Sequence, residues 1–230
     1  MCNQTKRWIR KPAGWTPVAP MLVATLIMGI DAAKGVTDKP PLPVPASVRS
    51  LVEGGATILG YAETRELASG GKHMAVVTRR AGKQGDYLYE WDPEYTCELM
   101  TVQGDDGSLR VTGRSQKVVD CLVSANRHAA ARDLDGVLRF DGSDLVFSNE
   151  DSILKSGTMM MKFRYMDGRW LLRSASSLGG ALTGEHEMTL WKSFVTSPKH
   201  VGFVALDDLD PYDLTPVINA VSKKSTTWVD

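Results

Sequence analysis

The sequence predicts a mainly β protein: an antiparallel sandwich or open barrel of about ten to twelve short strands, with a short N-terminal helix and a C-terminal helix. Short runs rich in β-branched, aromatic or alternating residues follow one another from residue 56 to about 206. Asp-Gly pairs at 106–107, 135–136, 141–142 and 167–168 suit tight hairpins, because Gly accepts a positive φ without steric cost. Many short strands at close spacing favour an antiparallel arrangement over a βαβ fold.

Twelve runs are predicted as strands. In chain order they are 56–62, 73–79, 86–91, 97–103, 108–114, 117–123, 136–140, 144–148, 158–166, 169–175, 185–195 and 200–206. The strongest hairpin signal is FRYMDGRWLL, residues 163–172, because the alternation continues on both sides of Asp-Gly. With Asp167-Gly168 as the turn, Tyr165 faces Trp170 and Phe163 faces Leu172. These four aromatic and aliphatic side chains then share one face, which is predicted to be core.

Two helices complete the prediction. Val48, Leu51 and Val52 have helical spacing, and Gly54-Gly55 suits a helix end. The segment 213–223 is predicted as the final helix, with Thr215 as N-cap, Pro216 as the first helical residue, and Val217, Ile218 and Val221 on one apolar face.

The first part of the chain predicts export. A basic start with Lys6, Arg7, Arg10 and Lys11 precedes the apolar run 21–30, and small residues follow. This pattern is typical of a signal peptide over 1–33, and an uncleaved membrane anchor or a buried core segment are the alternatives. Residues 34–47 form a Pro-rich tether that favours polyproline II, and 48–230 form a single β-rich domain. The predicted location is the periplasm or the exterior of the cell.

Charge and cysteine content agree with export. The chain has 27 basic and 27 acidic residues, so nothing in the total favours nucleic acid or an anionic membrane. Cys97 and Cys121 remain after residues 1–33 are removed, and an oxidising compartment favours a disulfide between them. Two buried free thiols are the alternative.

Motifs for chemistry are incomplete. The run SGGKH resembles a phosphate loop, but Glu66 and His73 stand where Gly and Ser or Thr are required. The run EHEMTL lacks the second histidine of a zincin, because position 190 is Leu. Residues 133–142 place Val137 and Leu138 where a calcium loop needs an oxygen ligand and Gly. No catalytic residue, metal ligand or cofactor is therefore assigned.

The acidic segment 207–213 is the candidate binding site. Its members are Asp207, Asp208, Asp210, Tyr212 and Asp213. Such a cluster serves either as a solvated loop before a helix or as an acidic contact patch for a protein. A weak cation site and a carboxylate pair for glycoside cleavage are further alternatives, since carboxylate separation is not readable from sequence.

Residues 58–80 and the 158–175 hairpin together resemble a loose group of bacterial envelope proteins of unknown activity. In that group a signal peptide, a Pro-rich stretch and an acidic FG-GAP or VCBS-like loop lead into a hydrophobic strand, and an F-x-Y-x-D-G-x-W hairpin ends the sheet. Phe163, Tyr165, Asp167-Gly168 and Trp170 match the hairpin, and 74–78 occupy the strand. The loop before the strand lacks the aspartates, so the resemblance implies compartment and fold and not calcium binding.

The function predicted from these features is that of an exported, non-enzymatic protein that binds a protein partner in the bacterial periplasm, as an inhibitor or immunity protein of an envelope-acting toxin. The second hypothesis is a glycan or small-ligand module that uses exposed aromatics such as Trp91, Trp191 or Tyr212. The third is a hydrolase whose best candidates are Asp207 and Asp210.

Overall fold

The computed structural model describes residues 43–64, 71–82, 87–89, 92–93, 95–105, 107–121, 125–150, 158–183 and 187–228. The predicted signal peptide, most of the tether, and Trp91 lie outside these residues. The elements in chain order are α1 (Ala46–Arg49), β1 (Thr57–Glu63), β2 (Lys72–Ala81), β3 (Tyr87–Tyr89), β4 (Asp92–Pro93), β5 (Tyr95–Asp105), β6 (Ser108–Ser115), β7 (Leu138–Asp141), β8 (Asp144–Glu150), β9 (Thr158–Met166), β10 (Arg169–Leu182), β11 (Glu187–Thr196), α2 (Thr215–Val221) and β12 (Lys223–Trp228). Two 3-10 turns, Ala125–Arg127 and Pro211–Leu214, complete the list.

The strands form two principal antiparallel sheets. One has four strands in the order β1-β2-β5-β6, and the other has six in the order β12-β11-β10-β9-β8-β7. Strands β3 and β4 form a separate pair. Most neighbours in each sheet are also neighbours in sequence, as hairpin connections require. The predicted fold class, a mainly β antiparallel sandwich, is confirmed. No helix in the described part of the chain is long and apolar enough to cross a membrane.

The two principal sheets pack face to face over one apolar core. The four-stranded sheet contributes Leu59, Ala75, Val77 and Leu99, and the six-stranded sheet contributes Phe147, Met161, Phe163, Trp170 and Leu172. All of these side chains are almost completely buried. Burying a large apolar side chain stabilises the fold by about 1.5–3 kcal/mol, so this interface dominates the stability of the sandwich.

A second apolar cluster covers the other face of the four-stranded sheet. Tyr61, Met74 and Val76 point to that face, and Val44 and Val48 from the N-terminal segment pack on them. The predicted first helix is confirmed in place but is only one turn long. It ends at Arg49, and Leu51 and Val52 continue as a turn that packs on the same cluster.

The β9–β10 hairpin has the predicted register. Tyr165 pairs with Trp170 and Phe163 pairs with Leu172. Asp167 has φ 52° and Gly168 has φ 82°, so both central residues of the turn have positive φ, as a type I′ turn requires. Phe163, Trp170 and Leu172 are core, and Tyr165 is partly buried against it.

Two predicted strands are wrong. Of the predicted run 117–123, residues 117–119 form bends, 120–121 have no regular structure, and 122–123 lie outside the described residues. No strand forms at 117–121 because adjacent Val118 and Val119 are both buried and side chains satisfy the backbone in place of a neighbouring strand. Asn149 Nδ2 donates to the Val118 carbonyl at 2.7 Å, and the amide of Asp120 donates to Asn149 Oδ1 at 3.1 Å. Residues 200–206 form no strand and make one isolated bridge, between Ala205 and Leu171.

The C-terminal segment differs from the prediction at both ends of its helix. Thr215 is the first residue of α2 and not its N-cap, because the 3-10 turn Pro211–Leu214 comes directly before it. Asp210 caps that turn, accepting a hydrogen bond from the Tyr212 amide. The helix ends at Val221, and residues from Lys223 form the edge strand β12, which the sequence prediction missed.

Candidate functional site

The first two residues of the acidic segment connect to both sheets. Asp207 Oδ1 accepts a hydrogen bond of 2.9 Å from the Arg114 amide on β6. Asp208 Oδ2 lies 2.8 Å from Arg169 Nη2, at the tip of the β9–β10 hairpin. Both aspartates remain exposed to solvent. Each carboxylate therefore has a structural partner, and together they hold the segment across one end of the sandwich.

The rest of the acidic segment surrounds an exposed tyrosine. Asp210 caps the 3-10 turn, and its Oδ2 lies 3.7 Å from Lys117 Nζ. Tyr212 is 63% exposed, and its hydroxyl donates to Asp120 Oδ2 at 3.3 Å. Partial burial of the phenol, with the carboxylates of Asp120 and Asp210, raises the pKa of Tyr212. Asp213 is exposed on the same turn. Binding by this segment stays a prediction, and Tyr212 and Asp213 are exposed members of it.

The predicted disulfide is confirmed. Cys97 on β5 and Cys121 are bonded, with Cα atoms 5.7 Å apart, and both side chains belong to the core between the sheets. Such bonds form and persist in oxidising compartments, so the disulfide agrees with an exported protein.

A buried histidine at one end of the core is a feature that the sequence prediction missed. The His73 ring packs against both Tyr165 and Trp170, with centroid distances of 4.9 and 5.1 Å. Only 4% of the residue is exposed, and Nδ1 has no hydrogen-bond partner among the described residues. Burial lowers the pKa of the His73 imidazole, which is therefore neutral at pH 7. The packing indicates a structural role for this histidine.

The outer face of the six-stranded sheet carries three exposed apolar side chains. Phe194 is 57% exposed, Leu178 is 40% exposed and Met160 is 36% exposed. Met160 and Phe194 both pair with Ser176, and Leu178 lies two residues further along the same strand, so alternation places all three on one face. We call Met160, Leu178 and Phe194 the apolar strip. The sequence shows that Met160, Leu178 and Phe194 are apolar, but it does not show that they lie on the solvent-exposed face of the sheet.

Charges along this face fall into two groups. Near β7 and β8 two cations are paired: Arg164 bonds Asp144 through two nitrogens at 2.6 and 3.0 Å, and Lys162 Nζ lies 2.7 Å from Asp141 Oδ2. This hydrogen bond holds the pKa of the Asp141 carboxyl below its usual range. Around the start of β12, by contrast, Lys192, Lys223 and Lys224 make no ion pair with any described residue.

Three lysines and the end of the apolar strip border one pocket. The pocket has a volume of about 480 Å³ and is lined by Lys192, Ser193, Phe194, Val221, Lys223, Lys224 and Ser225. It lies where the chain turns from α2 into β12. Its surface combines apolar and cationic groups, which suits a ligand that has apolar and anionic parts.

No group of three or more His, Cys, Asp or Glu side chains within the described ranges is arranged to hold a metal ion. Comparisons of the chain with family models, with curated proteins and with solved structures found no match.

Proposed function

We propose that this chain is an exported, non-enzymatic protein that binds another protein in the bacterial periplasm. The observation that carries the proposal is the apolar strip on an otherwise well-packed sandwich. Of the five large apolar side chains that are exposed among the described residues, three lie together in this strip. Contiguous exposed apolar surface bordered by polar residues is typical of a protein interaction site, whereas apolar side chains scattered singly need no explanation.

Compartment supports the same proposal. The buried Cys97–Cys121 disulfide agrees with an oxidising environment, and the basic and apolar start of the sequence predicts export. An inhibitor or immunity protein of an envelope-acting toxin meets these conditions. Such a protein needs a stable scaffold and one complementary surface, and it needs no catalytic groups of its own.

Capture of the partner tests the proposal. We expect the tagged protein, cross-linked in periplasmic extract, to retain one defined protein, and the double variant Leu178→Ser with Phe194→Ser to lose it. Both side chains are exposed, so the double variant should fold as the parent does. Tyr212→Ser with Asp213→Asn is the matched variant on the acidic segment. Loss of capture only in this second variant would move the contact surface to the acidic segment, and no capture by the parent protein would contradict the proposal.

One observation favours a second candidate, a glycan-binding module. The Tyr212 ring is exposed while its hydroxyl is held by Asp120, so an apolar face is presented beside carboxylates that accept hydrogen bonds. Sugars bind to such combinations of aromatic and polar groups. Titration calorimetry with soluble peptidoglycan fragments tests this candidate, because binding should disappear in Tyr212→Ser. An absence of heat with the parent protein would remove it.

A further inference from the structure

We propose that the free edge of the six-stranded sheet, at the start of β12, binds an acidic extended segment of the protein partner, which adds to the sheet as its next strand. This inference rests on the proposed function and names the chemistry of the partner. Addition of a strand to an exposed sheet edge is a common mode of peptide recognition, in which the backbone gives affinity and the side chains give specificity.

The direction of the backbone groups in β11 identifies which atoms of the edge are free. The Thr183 amide donates to the Glu187 carbonyl on the β10 side, whereas the Thr196 amide donates to His200 Nδ1 on the opposite side. The backbone N–H and C=O groups of odd-numbered residues of β11 therefore point to β10. Those of even-numbered residues, including Phe194, point to the side of the sheet edge.

The pairing of β12 follows from this alternation. Lys192 pairs with Lys223, and Leu190 pairs with Ser225. The backbone groups of even-numbered residues of β11 point to β12, so Lys223 and Ser225 direct their backbone groups to β11. Lys224 and Thr226 direct theirs outward, away from the sheet. Strand β12 pairs with no other described strand, so these outward groups are available to a partner.

Two further features make this edge accessible. All five residues of β12 from Lys223 to Thr227 have exposed side chains, so neither face of the strand is covered. The strand begins opposite Lys192, so the edge of β11 at Phe194 lies beyond its end, beside the pocket. An added strand can therefore pair with Thr226 and Lys224 and place one apolar side chain in the pocket.

The lysines determine the charge of the segment that fits. Lys192 and Lys223 are direct cross-strand neighbours, and like charges in such positions destabilise a sheet. Lys224 points to the opposite face, because successive side chains alternate. Acidic side chains on one face of an added strand relieve the repulsion between Lys192 and Lys223, and acidic side chains on the other face meet Lys224. Lysines on an edge also discourage pairing with neutral or basic strands, so the same residues give selectivity.

A designed peptide tests the inference directly. The probe is a fluorescently labelled, capped heptapeptide of alternating glutamate and valine, measured by fluorescence anisotropy against a peptide with lysine in place of glutamate. We expect binding of the acidic peptide only. The triple variant Lys192→Gln, Lys223→Gln, Lys224→Gln should weaken it at least about tenfold, since each lost ion pair contributes up to about 1 kcal/mol. Replacing Lys72, Lys117 and Lys199 by Gln is the charge-matched control and should change the affinity less than twofold.

Proline variants separate strand addition from simple charge attraction. Thr226→Pro removes an outward amide and no internal hydrogen bond, so it should melt as the parent does and lose the peptide. Ser225→Pro removes an amide that bonds to β11, so it should melt at a lower temperature. Binding of the peptide by Thr226→Pro with the affinity of the parent would overturn strand addition.

Other outcomes also decide the matter. Equal binding by the triple variant and the parent would overturn the role of the lysines. Failure to bind the peptide, with binding to phosphatidylglycerol vesicles, would overturn the inference in favour of a membrane contact. If the triple variant captures the periplasmic partner as well as the parent does, the inference fails while the proposed function stands. If the parent binds the acidic peptide but captures no periplasmic partner, the proposed function is contradicted.

Discussion

Removal of the Cys97–Cys121 disulfide gives the most quantitative test of how the sandwich is held together. The perturbation is the double substitution Cys97→Ala, Cys121→Ala. The bond joins β5 to the segment that carries Val118 and Val119, and all four side chains are buried in the core between the sheets. Alanine is the replacement of choice, because serine would bury two hydroxyl groups that then need new hydrogen bonds.

The magnitude follows from the length of the closed loop. The two cysteines are 24 positions apart, and the chain-entropy relation for a loop of this size gives about 3.5 kcal/mol at 25 °C. In a domain of this size each kcal/mol corresponds to about 2–4 °C in the melting temperature, so a decrease of about 7–14 °C is expected. Cavities left by the two sulfur atoms add to this decrease.

Urea unfolding followed by tryptophan fluorescence is the assay. The parent protein should lose about 3.5 kcal/mol of unfolding free energy when a reductant is added, and the double variant should be insensitive to it. A decrease below about 1 kcal/mol on reduction would refute the entropic reasoning, and free thiols at both positions in the exported protein would refute the disulfide itself.

Three further predictions concern single residues. Burial lowers the pKa of His73, so as the pH falls the unfolded chain takes up the proton near pH 6.5, before the folded chain does. The free energy of unfolding should therefore fall below about pH 6.5, by at most about 1.4 kcal/mol per pH unit. In urea unfolding at pH 5–7.5, His73→Phe should reduce this slope. Gly168→Ala should lower stability by about 1 kcal/mol in thermal unfolding, since Gly168 has φ 82° and an added Cβ meets nothing within 4 Å. Asp207→Ala should cost about 0.5–1 kcal/mol by removing the exposed hydrogen bond to the Arg114 amide, whereas Asp213→Ala should change stability by less than about 0.5 kcal/mol in the same measurement.

Each of these predictions has a control. A pH slope in His73→Phe equal to that of the parent would assign the slope to other groups. Gly107→Ala is the control for the turn, because Gly107 has no positive φ and its Cβ also meets nothing within 4 Å; equal destabilisation at both glycines would remove the backbone explanation. If Asp207→Ala is as stable as the parent but fails to capture the partner, Asp207 acts in binding and not as a structural connector.

Where the alternation of apolar residues and the turn residues agree, the sequence was sufficient to predict the strand register. The β9–β10 register follows from the side-chain period of two and from an Asp-Gly turn whose two residues adopt positive φ. The strand at β12 gave no such signal, because it is exposed on both faces and therefore needs no apolar side chain at any position. The run 117–123 gave a false signal, because Val118 and Val119 are apolar for a reason other than strand pairing: both fill the core beside the disulfide.

For the candidate site, too, the sequence showed which residues are present, and the structure showed which of them come together. The acidic segment was visible as a run of like residues, but its carboxylates meet Arg114, Arg169 and Lys117 from distant parts of the chain. The apolar strip was invisible, since Met160, Leu178 and Phe194 look like ordinary strand residues until the packing shows which face is covered.

The sequence by itself determined the local properties: the strand period, the register of the β9–β10 hairpin, the pair of cysteines and the charge of each side chain. These properties depend on residues that are near each other in the chain. Only the tertiary structure decided which face of each sheet is core, where the sheet edge is free, and which lysines lack carboxylate partners among the described residues. Those properties depend on contacts between residues far apart in sequence, and no local pattern encodes them.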